Sequence, residues 1–261
     1  MKLKSLLAVL VFTIAATACH SGQKPVRPRV VVPKEFLNLS KEEIFKKGEA
    51  LYQQKKYPKA RSYFSNVYEN FPNDPLGRRS LLRIADTFYM QGDSVNLVDA
   101  QYKYRDFINR YPGSEFADYA LFQIANVSFK QLEKPDRDQT KTREAVQKYR
   151  EMIQAYPKSP YRVEADAKLQ KAQDRLAQHE HVVARFYMKR GDRSAAILRL
   201  NALVQDYPNY GHRDEVFYDL GSSLDALGRK GEARLYYERV VSEFPKSDLV
   251  GKAKEKLQTK A

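Results

Sequence analysis

Tryptophan is absent from this 261-residue chain, cysteine occurs once and histidine four times. The lone cysteine, Cys19, excludes a disulfide framework. His20, His179, His181 and His212 never take the spacing that sets two imidazoles on one helical face, so no paired metal motif is present. Phosphate-binding glycine loops and dinucleotide fingerprints are missing too. Ser222 and Ser223 have no histidine placed to activate them, and Asp136 with Asp138 is half a calcium loop without its other ligands or its glycine. Neither cofactor nor metal is expected, no enzyme activity is expected, and the chemistry left open is recognition.

What the sequence does contain is an aromatic residue followed by proline, five times: Phe71-Pro72, Tyr111-Pro112, Tyr156-Pro157, Tyr207-Pro208 and Phe244-Pro245. Before each proline stand a small residue and two large apolar ones, with gaps of four, three and five residues: Ala60, Phe64, Val67; Ala100, Tyr104, Phe107; Ala145, Tyr149, Met152; Ala196, Leu200, Leu203; Ala233, Tyr237, Val240. Gaps of four and three put the three side chains on one helical face, and the proline ends the helix. In three sets a second small residue, Gly48, Ala184 or Gly221, precedes the alanine by twelve positions. Small residues on both helices let two antiparallel axes approach closely. This is the pattern of the tetratricopeptide repeat. The expected fold is all-α, a solenoid of five helix-turn-helix repeats with a long helix opening the fourth.

The proline intervals of 40, 45, 51 and 37 exceed the ideal period of about 34. Three extra residues after each of Pro72, Pro112 and Pro208 predict that the helix following gains almost a turn. Three more are expected between the helices of the second repeat, around Gly92-Asp93-Ser94, and eight in a surface loop over Glu133 to Gln139. The fourth repeat places seventeen before Ala184, predicting one helix from Tyr161 to Arg190 ended by Gly191, about 45 Å long at 1.5 Å per residue. Its near-heptad stripe of Ala165, Leu169, Ala172, Leu176, His179, Val183 and Tyr187 puts His179 in the core, with His181 on the opposite side.

At the amino terminus, Lys2 and Lys4 precede the apolar run Leu6 to Ala16, too short to span a bilayer, so residues 1–18 read as an export signal. Cys19 follows the small residues Ala16-Thr17-Ala18 and resembles a lipidation site. Residues 19–39, with Pro25, Pro28 and Pro33, read as an extended tether reaching about 60 Å at most. The formal net charge of +14 points to an anionic lipid surface or an acidic partner rather than to nucleic acid in an exported chain.

Solenoids of this type bind along the first helices of their repeats. Four positions around the small residue in each of the first three repeats predict a groove of Glu42, Phe45, Glu49 and Tyr52; Arg79, Leu82, Asp86 and Tyr89; then Tyr119, Phe122, Asn126 and Phe129. Its aromatic content suits an extended peptide, with Arg79 and Asn126 for a carboxylate or backbone. The alternative is that these rings pack against neighbouring repeats.

The run Asp174-Arg175-Leu176-Ala177, with Glu180, Val183-Ala184, Phe186-Tyr187, Arg190-Gly191, Ala195-Ala196, Arg199 and Asp206-Tyr207-Pro208, resembles the BamD family, the repeat-built lipoproteins of the outer-membrane β-barrel assembly machine. Asp136-Arg137-Asp138 and Asp118-Tyr119-Ala120 share the resemblance; Asn73-Asp74-Pro75 departs from it. The resemblance implies a lipoprotein on the periplasmic face of the outer membrane of a Gram-negative bacterium, and His20 after the cysteine is similar to other lipoproteins exported there. It implies repeats at 40–135 receiving unfolded outer-membrane proteins, and repeats at 136–261 binding the barrel-forming subunit, with other assembly lipoproteins as partners. Arg199, Arg190 and Asp206 are the contacts it implies for the barrel subunit. A repeat lipoprotein coordinating peptidoglycan-associated partners is the alternative, and an envelope enzyme with attached repeats is a third.

Overall fold

The computed structural model describes residues 36–258; the export signal, Cys19 and nearly all of the tether lie outside the described residues. Eleven α-helices follow one another among them, with no strand. Five consecutive pairs are α1 (Lys41–Gln53) with α2 (Tyr57–Asn70), α3 (Pro75–Gln91) with α4 (Ser94–Arg110), α5 (Ala117–Phe129) with α6 (Thr140–Ala155), α7 (Arg162–Lys189) with α8 (Arg193–Asp206), and α9 (Arg213–Ala226) with α10 (Lys230–Glu243). A last helix, α11 (Val250–Gln258), packs on α10. Each helix packs mainly on its sequence neighbours, the arrangement of a solenoid.

The five aromatic residues close the second helix of each pair. Phe71, Tyr111, Tyr156, Tyr207 and Phe244 are the C-cap residues, all with φ between −134° and −127°. Proline at the next position forces them out of the helical region. Each still donates its N–H to the third residue of its apolar set: Val67, Phe107, Met152, Leu203 or Val240. Each also accepts, through its carbonyl, the N–H three residues on, a β-turn with proline in its favoured second place. Two positions after four of the prolines a side-chain oxygen takes the N–H that begins the next helix: Asp74 from Leu76 at 2.9 Å, Ser114 from Phe116 at 3.2 Å, Ser159 from Tyr161 at 3.2 Å and Ser247 from Leu249 at 3.1 Å. Ser159 in turn donates to Asp118 at 2.6 Å, tying its turn to α5.

The extra residues fall differently from expectation in two places. Only α3 of the three first helices gains a turn, at 17 residues, because Pro75 starts it early. By contrast, α5 and α9 have 13 and 14 residues, and their extra residues form the turns at 112–116 and 208–212. Nor are there three additional residues between α3 and α4. Gly92, at φ +75°, ends α3, and Asp93 caps α4 by accepting from Asn96 N–H at 3.1 Å, so the surplus lengthens α4 to 17 residues. The long loop lies where the sequence puts it, between Phe129 and Thr140, with Asp138 accepting the Thr140 N–H at 2.9 Å. The long helix is α7, 28 residues and about 42 Å, followed by Gly191 at φ +83°.

Small residues set the spacing within pairs. A Cβ on Gly48 would stand 2.8 Å from the Phe64 ring, and one on Gly221 2.7 Å from Tyr237. Three apolar cores succeed one another from α3 to α11 among the described residues, and α7 belongs to two. Ala165, Ala172 and Leu176 join Phe122, Tyr149 and Met152; Ala177 and Ala184 join Leu200, Phe217 and Leu220. The buried face therefore drifts from the near-heptad stripe after Leu176, since an α-helix turns 3.6 rather than 3.5 residues at a time. His181, 3% exposed, is consequently the core histidine, and His179 is not. His179 is half-buried at the loop, its Nδ1–H donating to the Pro135 carbonyl at 2.6 Å.

Candidate functional site

One residue beyond the small position of successive first helices stands a polar side chain: Glu49, Asp86, Asn126 and Arg185. Each bonds to the next first helix. Glu49 takes Arg83 in a bidentate pair at 2.7 and 3.0 Å, and Arg83 Nη1 donates to Asp86 at 3.1 Å. Asp86 Oδ1 accepts from the Tyr104 hydroxyl at 2.6 Å and the Tyr119 hydroxyl at 2.7 Å. Gln123 donates to the Tyr119 oxygen at 2.8 Å and accepts from the Asn126 amide at 2.8 Å. Asn126 Oδ1 then accepts from Tyr149 and Lys168, each at 2.7 Å. One hydrogen-bonded seam thus runs unbroken from α1 through α3 and α5 to α7. Burial pushes the Asp86 carboxyl up against the pull of its donors, and burial beside that carboxylate lifts Tyr104 well above an ordinary phenol, which keeps it a donor.

This seam corrects part of the expected groove. Glu49 and Asp86 join repeats to one another, and Asn126, with both ends of its amide engaged, is not free for a peptide carboxylate. Phe45 and Phe122 are buried, Phe45 tilted on Phe64 at 5.4 Å and Phe122 stacked on Tyr161 at 5.2 Å, so both pack within the solenoid. Leu82 is buried as well. Glu42 and Arg79 are exposed, and Tyr52, Tyr89, Tyr119 and Phe129 are half-buried. Burial raises the Tyr52 phenol to about 12, and Lys130 sits 4.6 Å over the Tyr89 ring.

A cleft of about 190 Å³ does open where α3, α5 and the start of α7 meet. Arg79, Arg83, Leu82 and Asp86 form one side, and Phe116, Tyr119 and Tyr161 the other. Arg79, its guanidinium 5.4 Å from the Phe45 ring, stands at its mouth. Phe116 and Tyr161 fall outside the positions counted from the small residues. Both sit two places beyond the serine that takes their N–H, so the Pro-x-Ser signal places them at the head of a first helix.

Toward the carboxyl end, Arg199 and Asp206 lie seven residues apart on one exposed face of α8. Arg199 donates to Glu180 of α7 at 3.2 Å, and its side chain is 50% exposed. Arg190 caps α7 with its guanidinium 5.5 Å from the ring of Phe186, which is 54% exposed. Arg185 and His181 converge on Asp219 of α9, at 2.7 and 2.8 Å. Burial raises the Asp219 carboxyl, and those two donors more than offset it, leaving it below the ordinary carboxylate value.

The family model of the YfiO outer membrane lipoproteins matches residues 38–238. The outer membrane protein assembly factor BamD of Caulobacter vibrioides is 28% identical over 85% of this chain and 70% of its own length. That of Rickettsia prowazekii is 27% identical over 95% of this chain and 94% of its own. Among solved structures, the TPR2AB domain of yeast Sti1 in its pHSP90 complex covers 83% of this chain and 81% of its own, at 13% identity and a TM-score of 0.46. The family match takes in every helix from α1 to α9 and most of α10. The chain belongs to the YfiO family of outer membrane lipoproteins.

Proposed function

We propose that this outer membrane protein assembly factor works without catalysis, as a scaffold with two working ends. The amino-terminal repeats, residues 40–135, receive unfolded outer-membrane protein segments. The carboxyl-terminal repeats, residues 136–261, hold the barrel-forming subunit and neighbouring assembly lipoproteins. Cys19 carries the lipid that keeps the chain on the periplasmic face of the outer membrane. Several acyl chains are needed for lasting attachment, since each buried methylene contributes only about 0.8 kcal/mol.

The observation that carries the client-binding half is the cleft beneath Arg79. A guanidinium over an aromatic wall suits a peptide that presents an aromatic ring beside a carboxylate. Tyr89 and Phe129 extend the same surface. On the partner side, Arg199, Arg190 and Asp206 stand exposed, and the Arg190 guanidinium lies 5.5 Å from the exposed Phe186 ring, which suits an interface whose anchor is an aromatic residue beside an arginine.

Depletion in the native cell tests the whole reading: folded outer-membrane barrels fall, and normal barrel levels refute it. Arg199→Glu tests the partner side. The change repels Glu180 at an exposed site, so stability moves by at most about 1 kcal/mol, while co-purification with the barrel-forming subunit is lost. Normal co-purification removes Arg199 from the interface.

A further inference from the structure

The long helix carries a face that the cleft beneath Arg79 does not use. Lys171, Arg175, Gln178, Val182 and Phe186 recur along α7 at intervals of four, three, four and four residues, hence on one side of it. At its amino-terminal end this side borders a second cleft, of about 320 Å³, closed by Phe129 and Leu132 from the preceding repeat and by the turn at Tyr210, Gly211 and His212. Phe129 is also the last of the expected groove positions on α5.

The second cleft is cationic at its rim. Lys171 is exposed and has no carboxylate within ion-pair distance among the described residues. Arg175 is held by a bond from Nη1 to the Glu133 carbonyl at 3.0 Å, which orients the guanidinium without neutralising it. The cleft's one carboxylate, Asp174, accepts from Gln170 at 3.0 Å. Further along, the face turns apolar: Val182 is 41% exposed and Phe186 54%. From Lys171 to Phe186 is about 22 Å at 1.5 Å per residue, the length of about seven residues of extended chain.

We infer that α7 continues the client track, seating an extended segment with an acidic side chain at Lys171 and Arg175 and apolar side chains against Val182 and Phe186. The inference rests on the client-binding reading above. Its occupant is set by charge at one end of the face, at the rim of the second cleft, and by the exposed apolar surface of Val182 and Phe186 at the other.

Two measurements on the full chain test it. The probe for the first is a fluorescent peptide of about ten residues, alternating valine and tyrosine, with one glutamate near an end; its control carries glutamine there. Lys171→Glu weakens the glutamate peptide about five-fold, the scale of a rim ion pair, and leaves the glutamine peptide unchanged. Equal affinity of both peptides for the unaltered chain, or no loss with Lys171→Glu, overturns the inference. The second places a photo-crosslinking residue at Gln178 and, separately, at Tyr89, and offers an unfolded barrel segment. Crosslinks at both positions support the track. A crosslink at Tyr89 alone overturns the α7 extension and leaves client binding at the amino-terminal repeats standing, whereas none at either position removes both.

Discussion

Asp219 shows how much one side chain holds at the junction of α7 and α9. Its Oδ2 takes both His181 Nε2–H and Arg185 Nε–H, and its side chain is 12% exposed. Asp219→Asn keeps an acceptor but loses the charge facing Arg185, whose side chain is 46% exposed and still paired with Glu215, so the change costs about 1 kcal/mol at pH 7 in urea unfolding. The folded carboxyl lies below its ordinary value, so its contribution is complete above the unfolded value of about 4. It is lost as pH falls through the lower, folded one. The part of the stability gap that comes from the Asp219 charge therefore closes as acid is added below about pH 4. A gap that widens in acid contradicts this assignment. Sequence spacing marks this position only as a first-helix residue, because the convergence of His181, Arg185 and Asp219 depends on how far α7 has rotated by its second half. That rotation is also why His179 reads as the core histidine in the sequence and His181 is the one buried.

Among the elements, the first inter-repeat turn is the outlier. From proline to the next helix it takes three residues, Pro72 to Pro75, where the turns beginning at Pro112, Pro157, Pro208 and Pro245 take five. The tighter turn brings the Phe71 carbonyl so near α3 that a Cβ on Gly77 would stand 1.8 Å from its oxygen. Gly77→Ala accordingly destabilises the chain by about 2–3 kcal/mol in thermal or urea unfolding, by overpacking against backbone that has little room to move. Gly113→Ala, with nothing within 4 Å of its Cβ, changes stability by no more than about 0.5 kcal/mol and serves as the control. The aromatic-proline caps are legible in the sequence because their causes are local: one proline, the residue before it and one apolar stripe. Whether three surplus residues extend a helix or a turn is not local. At α3 the answer comes from Pro75 and Gly77, and at α5 from Ser114, whose oxygen takes the N–H that a longer helix would have enclosed.

Among the described residues packing is mainly between neighbours, and the polar seam from Glu49 to Lys168 couples four successive first helices. Stability of such a chain is close to a sum over adjacent interfaces. Leu220→Ala, which empties a fully buried place in the core shared by α7 to α11, lowers stability there by about 2–5 kcal/mol. Amide hydrogen exchange then quickens from α8 to α11 while α1 to α5 keep their protection; uniform acceleration over all eleven helices would show a single cooperative unit instead. Of the proposed client surface, the sequence displays that Arg79 stands open to solvent. It does not display that Phe45, Phe122 and Asn126 are enclosed, since one periodicity serves both a groove and the contact between successive first helices, and only the packing of Phe122 against Tyr161 separates the two.

Because α7 is embedded in two cores, it behaves mechanically as a lever. The amino-terminal half is gripped by Phe122, Tyr149 and Met152 and the carboxyl-terminal half by Leu200, Phe217 and Leu220. A tilt of about 5° at one grip moves the far end of a helix of this length by about 4 Å, at 1.5 Å of rise per residue. A displacement on that scale is comparable to an interatomic contact, so on the proposed client track a load at Lys171 would reach Phe186 and Arg190.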